Sequence, residues 1–140
     1  MFIPALAGVL LLLAALPPWL PAWSQSLIMD AFAPTCHQLR TRSLHVGDTA
    51  LAVCDRCIGI YGGAILGALL GRMAGGFGAS MRTRWALLAL GAAPAFIDWI
   101  GPWLGLWPNT PTSRLLTGLW LGGAVAWMLV QALRSASPKT

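Results

Sequence analysis

Metal or redox chemistry in this sequence would concentrate at its three cysteines and two histidines, all that the 140 residues contain. Cys54 and Cys57 form a Cys-x-x-Cys pair, and Cys36-His37 lies 18 residues before Cys54. Zinc takes four ligands from thiolate and imidazole, and a Cys-x-x-Cys turn supplies two of them. Cys36 and His37 complete a Cys3His set with Cys54 and Cys57. His45 is the rival for the fourth place, because adjacent side chains such as 36 and 37 diverge in extended backbone. Zinc is therefore the expected cofactor. A redox reading uses the same pair: Cys54 and Cys57 open an apolar run, where a helix dipole and Arg56 favour thiolate. A thiol–disulfide or quinone-linked membrane protein would work this way, with only Cys36 left to pass electrons on. A third reading leaves small buried thiols that merely pack. Three cysteines cannot all pair, which argues against a pure disulfide framework and leaves a metal site, a reactive thiol, or one disulfide plus a spare.

Charges inside apolar stretches form the second group. Asp98 and Arg114 each lie at the edge of such a stretch, where an ionised group is expensive and normally faces a partner. An Asp98–Arg114 ion pair is expected near one end of the helices. It would fix helix register, or Asp98 would serve as a catalytic base or as a support for the metal ligands. Arg42, Arg56 and Arg114, with Arg40 nearby, are candidates for binding a lipid phosphate or another anion, since guanidinium grips phosphate through two hydrogen bonds. A metal ion at the cysteines would then activate water towards that substrate. Alternatively the chain is a non-catalytic small subunit of a membrane complex, with the metal stapling loop to helix.

The elements that must position these residues read as membrane helices. Hydrophobic side chains make up 57% of the chain and charged ones 9%, with a mean hydropathy of +0.71, which is too apolar for an ordinary soluble domain. Apolar stretches at 2–20, 56–72, 85–100 and 115–133 predict an all-α integral membrane fold. That fold is a four-helix transmembrane bundle in one domain spanning residues 1–140, with a polar outer loop at 24–55 between helices 1 and 2. The first stretch lacks the Lys or Arg that opens a signal peptide, which favours a retained span. Pro17-Pro18 ends it, and Trp19 and Trp23 follow where interface aromatics belong. Pro94 is expected to kink the third span. Glycines 59, 63, 67 and 71 recur every four residues, and Gly118 and Gly122 repeat the spacing, a small-residue face that lets helix backbones approach closely.

Nine basic residues against four acidic ones bear on orientation and anionic lipid. No basic run or recognition motif points to nucleic acid. Arg72, Arg82, Arg84, Arg134 and Lys139 fall on one side of the four spans, and Arg40, Arg42, Arg56 and Arg114 on the other. The excess of positive charge places both termini in the cytoplasm and the Cys/His loop outside the inner (cytoplasmic) membrane. The expected partners are the lipid bilayer and either further copies of the chain or a larger membrane complex.

The motifs also carry a family resemblance. Cys36-His37-Gln38, Arg42-Ser43 and Cys54-x-Arg56-Cys57-x-Gly59-Ile60-Tyr61-x-Gly63 resemble the signature of small prokaryotic membrane proteins of unknown function. The similarity continues through Pro94, Asp98, Asn109 and Arg114-x-x-Thr117-Gly118-x-x-x-Gly122, about residues 34–123 in all. The resemblance implies that these residues belong together and names no reaction.

Overall fold

Proline and small polar residues set the limits of the helices. In the computed structural model, which describes residues 2–74 and 80–136, α1 runs over Phe2–Ala15 and stops ahead of Pro17-Pro18. Those prolines, which lack the amide donors that would continue the helix, form a short 3-10 turn with Trp19. After Pro21 comes α2, Ala22–Phe32. A two-stranded hairpin follows: β1 (His45–Val46) pairs with β2 (Thr49–Ala50), His45 opposite Ala50. Its two-residue turn begins at Gly47, which takes a φ of +60°, the left-handed region that glycine enters without penalty. The long helices are α3 (Asp55–Met73), α4 (Met81–Ile100) and α5 (Pro111–Ala136). Ser80 caps α4 by accepting the Thr83 amide at 3.2 Å. Pro111 opens α5, where its missing amide is no loss. Pro94 lies within α4.

The described residues thus form five α-helices where four were expected. The correction lies in the stretch 24–55, read as a polar loop. Its first part is helical because Ile28, Met29 and Phe32 recur at helical spacing and pack into the core beside Cys36. By length and composition one of the described helices, Pro111–Ala136, qualifies to cross a membrane. α1 is apolar but has 14 residues, and the ends of α3 and α4 carry Asp55, Arg56, Arg72, Arg82, Arg84 and Asp98. The glycine-rich linker at 75–79 and Lys139 lie outside the described residues.

The packing order is α1 against α3, α3 against α5, and α5 against α4. α3 and α5 lie side by side and parallel: Gly59 faces Leu115, Gly63 faces Leu119, and Gly67 faces Gly123. A Cβ on Gly63 would overlap the Leu119 carbonyl, and one on Gly118 would overlap the Arg56 carbonyl. The backbones are therefore in contact, as the small-residue spacing predicts. One core cluster joins Ala68, Ala126 and Val130, with Ile3 of α1 against them. The other joins Ala14, Phe32, Cys36, Ala52 and Val53 at the opposite end of the bundle, and the cysteines sit there.

Candidate metal centre

Two segments meet to bring the thiols together. Cys36 follows the end of α2, where its amide and that of Thr35 both bond the Phe32 carbonyl. Cys54 is the residue that caps the start of α3, and Cys57 lies in that helix's first turn. The three sulfurs lie within 4.8 Å of one another. Those of Cys54 and Cys57 are 3.6 Å apart. The Cys54 amide donates to the Cys36 sulfur at 3.2 Å. Cys36 is buried, whereas Cys54 and Cys57 are half-buried. The Cys57 thiol at its side pulls the Cys54 thiol down to about 5, against the opposing effect of burial.

The segment that delivers Cys54 is pinned on both sides. The Ala52 amide donates to Ala14 at the end of α1, and the Ala52 carbonyl accepts from Gln38 Nε2 at 2.9 Å. The same Gln38 nitrogen donates to Met29 of α2 at 2.6 Å. Gln38 thus clamps α2, and through it Cys36, to the strand of chain leading into Cys54. It does so from a φ of +48°, uncommon for a residue with a side chain. Phe32 and Tyr61, ring centroids 6.4 Å apart, pack beside the thiols.

The histidines stand apart. His37 is exposed beyond Cys36, and His45 is exposed on β1; the three-thiol group includes neither. The inward turn at Gln38 accounts for His37, since the chain directs residue 38 rather than 37 toward the core.

A network of charges lies next to the thiols, and its pairing differs from the expected one. Asp98 pairs with Arg56, and Arg114 pairs with Asp55 at 3.3 Å. Positions 55 and 56 are separated by about 100° around α3, so one reaches α5 and the other α4. Arg114 also donates to Asn109 twice, to its side-chain oxygen at 3.0 Å and its carbonyl at 3.1 Å. Asn109 in turn donates to the Asp98 carbonyl at 3.3 Å. One connected set therefore ties the starts of α3 and α5 to the end of α4. Asp55 is 2% exposed, and its second oxygen, like Nε of Arg56, is buried without a partner among the described residues. Arg42 is exposed on a short 3-10 turn, and neighbouring Arg40 donates to the Asp48 carbonyl at 2.9 Å.

Asp55 and Gln38 had no assigned role in the sequence reading. Asp55 lies inside the Cys-x-x-Cys, where it reads as a spacer; its signal was an acidic residue in the first turn of a helix, where the dipole favours it. Gln38 carried no signal beyond its place in the Cys-His-Gln motif.

Residues 36–128 match DUF2085, a family described as predicted membrane proteins. The chain belongs to that family. The matched range begins at Cys36 and contains all three thiols, both ion pairs, Gln38 and Asn109. No curated protein and no solved structure matches the chain. The family places the chain among membrane proteins and assigns it no activity.

Proposed function

We propose that the chain is a multi-pass membrane protein holding a zinc ion on Cys36, Cys54 and Cys57, with a fourth position left for an anionic or lipid-derived ligand. In this reading α1, α3, α4 and α5 form a transmembrane bundle in the inner membrane, and the thiols lie at its outer end. The mutual approach of three sulfurs from two separate segments carries the proposal. Tetrahedral zinc with bonds of ~2.3 Å requires sulfurs ~3.8 Å apart. The 3.6 Å between Cys54 and Cys57 fits that requirement. The Cys54 amide aimed at the Cys36 sulfur suits a thiolate more than a thiol. Three protein ligands with one position open is the pattern of reactive rather than purely structural zinc.

When bound, zinc would supply Lewis acidity to a ligand oxygen. The chain's own residues position the centre. Gln38 and Ala52 fix the two ligand-bearing segments, and the Asp55–Arg114 and Arg56–Asp98 pairs hold the start of α3. Because Arg56 and Arg114 are engaged by carboxylates, an incoming anion would meet the exposed Arg42 first. Trp19, Trp23, Trp99, Trp103 and Trp107 are exposed at the thiol end, which supports an interfacial level for the centre.

Metal content of the purified full chain tests this. Stoichiometric zinc is expected in the parent protein and in His37→Ala and His45→Ala, and its loss in Cys54→Ser. Loss of zinc in either histidine variant would close the fourth position and defeat the open-site reading. The 3.6 Å sulfur separation and the lowered Cys54 thiol also favour a redox pair. Metal-free protein carrying a Cys54–Cys57 disulfide would establish that reading instead.

A further inference from the structure

The opposite end of the bundle has chemistry of its own. A cavity of ≈ 410 Å³ opens between the first turn of α1 (Phe2–Pro4) and the last turns of α3 and α5, lined by Arg72, Val130, Leu133 and Arg134. It joins two guanidinium groups to apolar walls. Arg134 is already anchored: one of its terminal nitrogens donates to the carbonyls of Gly71 at 3.2 Å and Ala74 at 2.7 Å, which end α3. Its position is therefore fixed before any ligand arrives, which lowers the entropy lost on binding. Arg72 is exposed and has no hydrogen-bond or ion-pair partner among the described residues. All four acidic side chains of the sequence, Asp30, Asp48, Asp55 and Asp98, belong to the thiol end. Arg72, Arg82, Arg84 and Arg134 consequently face no carboxylate side chain at theirs. Leu6 and Val9, four and seven residues on from Phe2 along the same face of α1, and Leu129, four residues before Leu133 on α5, are exposed apolar side chains.

We propose that this cavity binds the phosphodiester headgroup of an anionic phospholipid. Arg72 and Arg134 hold the phosphate, and an acyl chain lies along the apolar flank of α1 and α5. Guanidinium matches phosphate geometry, and a basic membrane face attracts anionic lipid. Apolar walls beside the charges favour a lipid over a free anion. The proposal uses none of the thiol chemistry and stands or falls apart from it.

The test titrates the detergent-solubilised full chain with short-chain phosphatidylglycerol, short-chain phosphatidylcholine and inorganic phosphate, reading the thermal unfolding midpoint. Phosphatidylglycerol is expected to raise the midpoint saturably, and the other two to have little effect. Arg72→Gln is expected to weaken that binding about fivefold, the effect of ~1 kcal/mol per interfacial cation, and Arg72→Lys to restore most of it. Arg82→Gln, which removes a charge at the same end outside the cavity, should leave it unchanged. Arg72 is the residue to substitute because Arg134 also caps α3. Equal stabilisation by phosphatidylcholine or by inorganic phosphate would overturn the assignment. So would an unchanged affinity in Arg72→Gln, or an equal loss in Arg82→Gln.

Discussion

Replacing Arg114 by Gln tests how the charged network is wired. Arg114 makes three hydrogen bonds, two to Asn109 and one to Asp55. The pair is buried: side-chain exposure is 11% for Arg114 and 3% for Asp55. Removing the guanidinium strands a carboxylate that already has one oxygen unpartnered. Breaking a buried pair from one side destabilises by about 3–5 kcal/mol, and Arg114→Gln should fall there. Asp55→Asn removes the carboxylate charge opposite Arg114 but leaves Arg114 its two Asn109 bonds, so it should lose about 1.5–3 kcal/mol, the range for a hydrogen bond to a charged group. In the double variant neither charge is stranded. Its destabilisation should fall short of the sum by about 2 kcal/mol, within the range seen for contacting pairs. Unfolding by sodium dodecyl sulfate in mixed micelles gives all three values. The same cycle run with Asp98→Asn should show the smaller coupling, because that carboxylate belongs to Arg56. Additivity of Arg114→Gln with Asp55→Asn, or stronger coupling to Asp98, would refute the pairing.

Three further substitutions probe the elements around the thiols. Gly63→Ala should destabilise by about 1–3 kcal/mol, the usual effect of overpacking, because its new methyl meets the Leu119 backbone. Gly62→Ala on the same helix meets nothing within 4 Å. It should be neutral or stabilising by up to ~1 kcal/mol through helix propensity; equal effects at the two sites in a thermal melt would contradict the α3–α5 contact. Gln38→Ala removes both bonds that clamp α2 to Ala52. With zinc on the three thiols as proposed, it should weaken that binding about 10–100-fold in a competition titration against a chelator, and unchanged affinity would show that the clamp does not support the centre.

The features legible in the sequence are those with few physical alternatives. Glycines at intervals of four on two apolar stretches have little use other than close helix contact. With one helix between them, α3 and α5 run parallel in an up-and-down bundle, so Gly59 and Leu115 meet at the same end. The grouping of Cys36 with Cys54 and Cys57 was legible for a similar reason, since ligand-type residues are scarce and all fall at one end of the chain's path.

What stayed hidden depended on rotation and on weakly polar segments. Four charges at one level permit two pairings, and the choice rests on which way the first turn of α3 faces. A turn of about 100° separates Asp55 from Arg56, and no periodicity in so short a stretch sets it. α2 escaped notice because Ser24, Gln25, Ser26 and Asp30 give it the composition of a loop, while its apolar positions become informative only when the opposing core is present. That helix proves to matter for chemistry: its last turn sets the amide of Cys36, and its Met29 carbonyl receives Gln38. Gln38 in turn reverses the backbone so that position 37 faces outward. A histidine beside a cysteine therefore looked like a ligand in the sequence, while the local backbone gives the inward place to an amide. The amide ties together the two segments that carry the thiols.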